Sequence, residues 1–99
     1  MSTELSPTVD SSLSFARPKK YKVILLNDDS TPMEFVIEIL VGIFNKTPAE
    51  AEKITMQVHN EGKGVAGIYF YETAEQKVFE ATNISRANGF PLSLNMEEE

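Results

Sequence analysis

Ten consecutive residues, Phe35 to Phe44, contain only two that are not apolar, Glu38 and Gly42. A surface helix needs an apolar stripe about 100° wide; this segment is apolar nearly all round. As a helix it must be covered on more than one side, by the rest of a small domain or by a ligand or partner. The segment is too short to cross a bilayer, which takes about 20 apolar residues. The run just before it, Asn27-Asp28-Asp29-Ser30-Thr31-Pro32-Met33-Glu34, carries a strong helix start. Thr31 reads as the N-cap, Pro32 as the first helical residue and Glu34 as the closing half of a capping box. The spacing predicts a helix from Pro32 to about Asn45. Asp28 and Asp29 then lie just outside its N-terminus.

The remaining elements follow from the same punctuation. Tyr21 to Leu26 is β-branched and apolar, a strand stopped by the turn residues Asn27-Asp28-Asp29. Thr47-Pro48-Ala49-Glu50 repeats the capping pattern and opens a second helix. Ala51, Ile54 and Val58 form its core face, and Gly62 is placed for a left-handed C-cap. Val65 to Tyr71 is a second strand. Thr73-Ala74-Glu75-Gln76 reads as a third capping box, for a helix with Val78, Ala81 and Ile84 or Ser85 along one side, closed by Gly89. Pro91 to Met96 alternates as a half-exposed strand with proline at its first position, and Glu97 to Glu99 reads as a frayed acidic end. The order β-α-α-β-α-β predicts an α+β fold, with three helices packed on a small three-stranded antiparallel sheet.

Residues 1–18 are rich in serine and threonine, with Pro7 and Pro18, and read as a flexible N-terminal extension. Leu5, Leu13 and Phe15 are the anchors available to it for a partner. Residues 19–99 make up the folded domain, at a length that supports one core and not two. The chain has no cysteine. Disulfides, a thiolate nucleophile and cysteine-held zinc are therefore excluded, which fits a reducing cytoplasm. The N-terminus lacks the basic start and apolar run of a secretory signal. A net charge of -6 argues against nucleic acid, because phosphate binding needs clustered Lys and Arg. No membrane segment is expected, and a monomer is.

Two short helices joined by Asn45-Lys46 form a hairpin, which returns the end of the second helix to the start of the first. His59, the one histidine of the chain, then stands near Asp28, Thr31 and Met33. A lone histidine at a helix C-terminus ordinarily serves only the helix dipole. Here Asn27, Asp28 and His59 converge as acceptors beside an apolar slot. They lack the two histidines of a non-haem metal triad and the alternating ligands of a calcium loop. Neither a nucleophile triad nor a phosphate-binding glycine loop is visible, so no enzyme, metal or cofactor is expected. Acceptors without a metal or nucleophile suit an ammonium group, and the neighbouring slot suits an apolar tail. Asp28, as an exposed loop carboxylate, is expected to have little duty in folding.

The blocks Asn27-Asp28-Asp29-x-Thr31-Pro32-Met33-Glu34-Phe35-Val36, Val58-His59-x-x-Gly62, Glu72-x-Ala74-Glu75-x-Lys77-Val78 and Pro91-Leu92 together closely resemble the ClpS adaptor family. The resemblance spans Tyr21 to about Met96. It implies an adaptor that binds N-degrons, proteins whose exposed first residue is Leu, Phe, Tyr or Trp. It also implies delivery to a Clp AAA+ unfoldase, ClpA or a relative, which feeds the ClpP protease. By the same resemblance Asn27, Asp28 and His59 hold the α-amino group. Asp29, Thr31, Met33, Val36, Thr55, Val58 and Leu92 form the side-chain pocket, with Met33 as a gate against Ile and Val. Glu72 and Lys77 belong to the unfoldase-facing surface; read without the resemblance, they are a solvated face. The leader resembles the family's N-terminal extension.

One position departs from the family pattern. Thr55 stands where a methionine is common, four residues before the histidine. That implies a pocket roomier or differently polar on this side, and better tolerance of the larger aromatics. Three rival readings follow from the residues. One is a module binding a helix or internal peptide along the first helix, without reading a free N-terminus. The others are a ribosomal-stalk-like domain of similar element order, and an enzyme.

Overall fold

A computed structural model describes residues 18–99; all of the N-terminal extension but Pro18, and with it Leu5, Leu13 and Phe15, lies outside the described residues. The elements are β1 (Lys20–Leu26), α1 (Met33–Gly42), α2 (Pro48–Glu61), β2 (Lys63–Phe70), α3 (Tyr71–Ala87) and β3 (Ser93–Glu98). β1 is the central strand of an antiparallel sheet ordered β2-β1-β3. Central position demands apolar residues with few polar side chains, and Val23, Ile24 and Leu25 of β1 are all buried. Between Val23 and Ile24 the pairing with β2 slips by one residue, so that Ala66 and Gly67 are buried in succession. No helix among the described residues is long and apolar enough to cross a membrane.

The apolar first helix is covered, as its composition requires. Val36, Ile39 and Leu40 are buried, followed by Ile43 and Phe44. Phe35 packs on Phe90 of the α3–β3 connection, with ring centroids 4.8 Å apart. Regular helix closes at Gly42, short of Asn45. The chain makes one further turn in which Lys46 N–H donates to the Leu40 carbonyl at 3.0 Å, with Asn45 at φ 57°. That turn drives Ile43 and Phe44 inward. Lys77 of α3 then donates from Nζ to the Ile43 carbonyl at 2.6 Å, over the faces of Phe44 and Tyr69. A cation on the last carbonyls of a helix is favourable, and no local pattern in the chain signals it.

Of three capping boxes read from the sequence, one forms. At α2, Glu50 N–H donates to Thr47 Oγ1 at 3.1 Å and Thr47 N–H to Glu50 Oε1 at 2.9 Å. The Thr47 main-chain bond holds the Glu50 carboxyl below the ordinary carboxylate range. A lowered folded value means that this contribution is present at neutral pH and fades as acid protonates the carboxylate. At α1 the expected box is absent: Pro32 occupies the N-cap without a side-chain bond, because the Thr31 hydroxyl is drawn to Asp28. At α3 the helix begins at Tyr71, two residues before Thr73, with Phe70 as cap and no side-chain bond. Burial of Ala74 and an edge-on contact between Tyr71 and Tyr21, centroids 5.2 Å apart, carry β2 directly into α3.

The acidic end also differs from its reading. Glu97 and Glu98 belong to β3, opposite Lys22 and Tyr21, and Glu99 N–H donates to the Lys20 carbonyl at 2.9 Å. The basic start of β1 gives these carboxylates a partner, with Lys19 and Glu98 2.9 Å apart. Glu98 accordingly pushes the Lys19 ammonium pKa up. On the second helix the expected face holds: Ala51 and Val58 are buried and Ile54 half-buried, with Thr55 buried beside them. On α3, Ala81 and Ser85 are buried, whereas Ile84 is exposed. Replacing the one working cap, Thr47→Ala, is expected to lower unfolding stability by about 1 kcal/mol, read by urea denaturation, whereas Thr73→Ala should leave the midpoint nearly unchanged.

Candidate functional site

β1 ends at Leu26, and the chain crosses to α1 through a loop that Asp28 organises. Its Oδ1 accepts from Ser30 N–H at 2.8 Å, and the Thr31 hydroxyl donates to the same carboxylate at 2.8–2.9 Å. Such local bonds are what Asp offers a turn ahead of a helix. Asp28 is therefore half-buried and structural as well as charged, which corrects the expectation that it has little duty in folding. Asp29 and Asn27 remain exposed.

The loop is tied to the far end of α2. Gly62, in the left-handed region at φ 88°, closes that helix with its N–H on the Val58 carbonyl. The Gly62 carbonyl then accepts from Asn27 N–H at 2.9 Å. This main-chain bond brings the last turn of α2, with Val58 and His59, against the Asn27-Asp28-Asp29 loop. Gly64 completes the fit: a side chain there would stand 2.9 Å from a methyl of Val58, so glycine lets β2 approach α2 closely.

Between these elements lies a recess of about 230 Å³. Asn27, Asp28, Asp29 and His59 contribute its polar lining. Met33, Val36, Val58 and Leu92 contribute apolar walls, with Thr31 and Thr55 between the two groups. Every residue that the sequence assigned to an amino-group site or a side-chain pocket borders this one cavity. Leu26 borders it too and was missed; its place at the end of β1, directly before Asn27, was the available signal. Met33 is 36% exposed and so stands at the mouth, whereas Val36, Val58 and Leu92 are buried.

Glu72 and Lys77 do not join the recess. Both lie on α3, Glu72 exposed in its first turn and Lys77 half-buried. The Lys77 ammonium is spent on the Ile43 carbonyl, so it is not the solvated charge that the residues alone had indicated. Glu72 instead borders a shallow surface depression with Glu75, Gln76 and the exposed Phe79.

A loop bearing two carboxylates thus borders an apolar recess, on a frame of three helices and three strands. The family model described as ATP-dependent Clp protease adaptor protein ClpS matches residues 16–95. An adapter protein ClpS of Clostridium acetobutylicum is 48% identical over 98 residues, covering 99% of this chain and 97% of that one. One from Wolinella succinogenes is 51% identical over 83 residues, covering 84% and 81%. Among solved structures, Agrobacterium tumefaciens ClpS2 bound to L-phenylalaninamide superposes with a TM-score of 0.81 at 41% identity, covering 84% of this chain and 100% of that one. The chain belongs to the ClpS family of Clp protease adaptors.

The loop geometry makes a specific demand. Asp28→Ala removes the acceptor for Ser30 N–H and for the Thr31 hydroxyl, and should cost about 1–2 kcal/mol of stability by denaturant titration. Asp28→Asn, which keeps an oxygen for Ser30 N–H, should cost less.

Proposed function

We propose that the recess receives the first residue of another polypeptide, an N-degron, and that the chain hands this substrate to a Clp AAA+ unfoldase. In this reading Asn27, Asp28 and His59 hold the α-amino group. The first side chain, from Leu, Phe, Tyr or Trp, enters between Met33, Val36, Val58 and Leu92, with Asp29, Thr31 and Thr55 completing the pocket. The observation that carries the reading is convergence: acceptors from the β1–α1 loop and from α2 border the same cavity as apolar side chains from α1, α2 and the approach to β3. L-phenylalaninamide, the ligand named for the Agrobacterium relative, has the matching parts, an amino group and a benzyl side chain.

The energetics suit a carrier that must release its load. A charge-assisted hydrogen bond contributes ~1.5–3 kcal/mol, and burying a Leu- or Phe-sized side chain a similar ~1.5–3 kcal/mol. After the cost of association these give micromolar binding at best. No step of chemistry is asked of any residue, so the protein acts as an adaptor and not as an enzyme. For the unfoldase, ClpA or a relative feeding ClpP, the proposed contact is the outer face of α3 at Glu72. Lys77 supports that face from beneath by fixing the end of α1.

The decisive test compares one peptide with a free and an acetylated N-terminus, both beginning with Phe, by fluorescence anisotropy. Acetylation removes the positive charge, and binding should fall at least tenfold. Equal binding would assign the recess to an internal peptide segment instead. A second measurement concerns the gate. A branch at Cβ widens a side chain at the mouth, where Met33 stands, and overlap there excludes it. Met33→Ala should admit peptides beginning with Ile or Val to within severalfold of Leu; continued exclusion would place the gate elsewhere.

A further inference from the structure

Two polar side chains are buried among the described residues, Thr55 and Ser85, and they fare differently. Ser85 donates from Oγ to the Ala81 carbonyl one turn back, at 2.7 Å. Thr55 has the same option at Ala51, yet its Oγ1 has no hydrogen-bond partner. Thr55 is only 4% exposed, and it borders the recess. A buried hydroxyl left unpaired is costly and calls for an explanation. The recess is where a partner can arrive.

We propose that Thr55 reads the far end of the first side chain, and that this recess selects tyrosine over phenylalanine. The inference rests on the reading that the recess holds a polypeptide by its free amino group. Thr55 precedes His59 by four residues, so it lies on the same helix face one turn, about 6 Å, further from the Asn27-Asp28 loop. A side chain whose amino group is held at His59 and Asp28 must cover that distance, which is about the reach of tyrosine from Cα to phenolic oxygen. Leucine stops short. Phenylalanine has the length of ring but no polar atom at its tip, and tryptophan carries its donor on the edge of a wider ring system.

Met33, Val36, Val58 and Leu92 present apolar walls, and the hydroxyl of Thr31 is committed to Asp28. Asp29, which also borders the recess, is exposed on the β1–α1 loop next to Asp28, which leaves Thr55 as the buried polar group further along α2. Thr55 Oγ1 is itself shut off from solvent, with its methyl and hydroxyl related by rotation about χ1. Two χ1 rotamers are open to threonine on a helix, and in the proposed complex rotation about χ1 presents the hydroxyl to the phenol. A hydroxyl both donates and accepts, and pairs with a phenol in either sense.

The test uses the full chain and one peptide sequence varied only at its first residue: Tyr, Phe, 4-methylphenylalanine and acetylated Tyr. A net neutral hydrogen bond corresponds to roughly three- to tenfold in affinity. The Tyr peptide should exceed the Phe and 4-methylphenylalanine peptides by that factor. In Thr55→Val, which keeps the shape and removes the hydroxyl, the Tyr-to-Phe affinity ratio should fall to about one. The same Tyr-to-Phe ratio in both proteins would overturn the proposal. If Thr55→Val fails to fold, equal binding of Tyr and 4-methylphenylalanine to the unaltered chain overturns it, and a Tyr advantage supports it. Equal binding of free and acetylated Tyr would instead refute the reading beneath it.

Discussion

One main-chain hydrogen bond, from Asn27 N–H to the Gly62 carbonyl, holds the two sides of the recess together. It joins the loop that carries both aspartates to the end of the helix that carries His59, Val58 and Thr55. Such a bond depends on Gly62, because only a left-handed residue closes α2 and turns its carbonyl out toward the loop. The apolar first helix then fills the space behind, and its start delivers Met33 and Val36 to the same cavity.

In the proposed reading, Asp28 combines a binding group and a folding group in one carboxylate. It accepts from Ser30 N–H and from the Thr31 hydroxyl, so its position is fixed before any cation arrives. Preorganisation of this kind spares a ligand the cost of ordering the loop. The price is that the residue cannot be altered without disturbing the loop as well. Thr55 presents the opposite case, a buried polar atom that the protein leaves unmatched. One group is satisfied within the fold and the other is not.

Much of the fold was legible in the chain. The strand–helix–helix–strand–helix–strand order, the capping box at Thr47 and Glu50, and the left-handed cap at Gly62 all follow from short-range chemistry and appear where that chemistry puts them. The misread details share one cause. Thr31 and Thr73 carry the right spacing for caps, but spacing does not show whether another partner competes. At Thr31 the competitor is Asp28; at α3 the packing of Tyr71 and Ala74 starts the helix early. The acidic end reads as frayed in the sequence because its lysine-bearing partner strand lies about 75 residues away along the chain, beyond any local pattern.

The sequence by itself determined the kinds of group present: a carboxylate pair, an amide and a single imidazole, alongside a helix too apolar to stand uncovered. Those are properties of residue type and of spacing within one or two turns, where the covalent chain dictates proximity. Only the tertiary structure decided that ten residues from separate segments border a single cavity with Leu26, that the Lys77 ammonium seals a helix end, and that the hydroxyl of Thr55 is left without a partner. Each of these is settled by which segments meet in space, and burial and hydrogen bonding across long stretches of chain have no signature until the chain has folded.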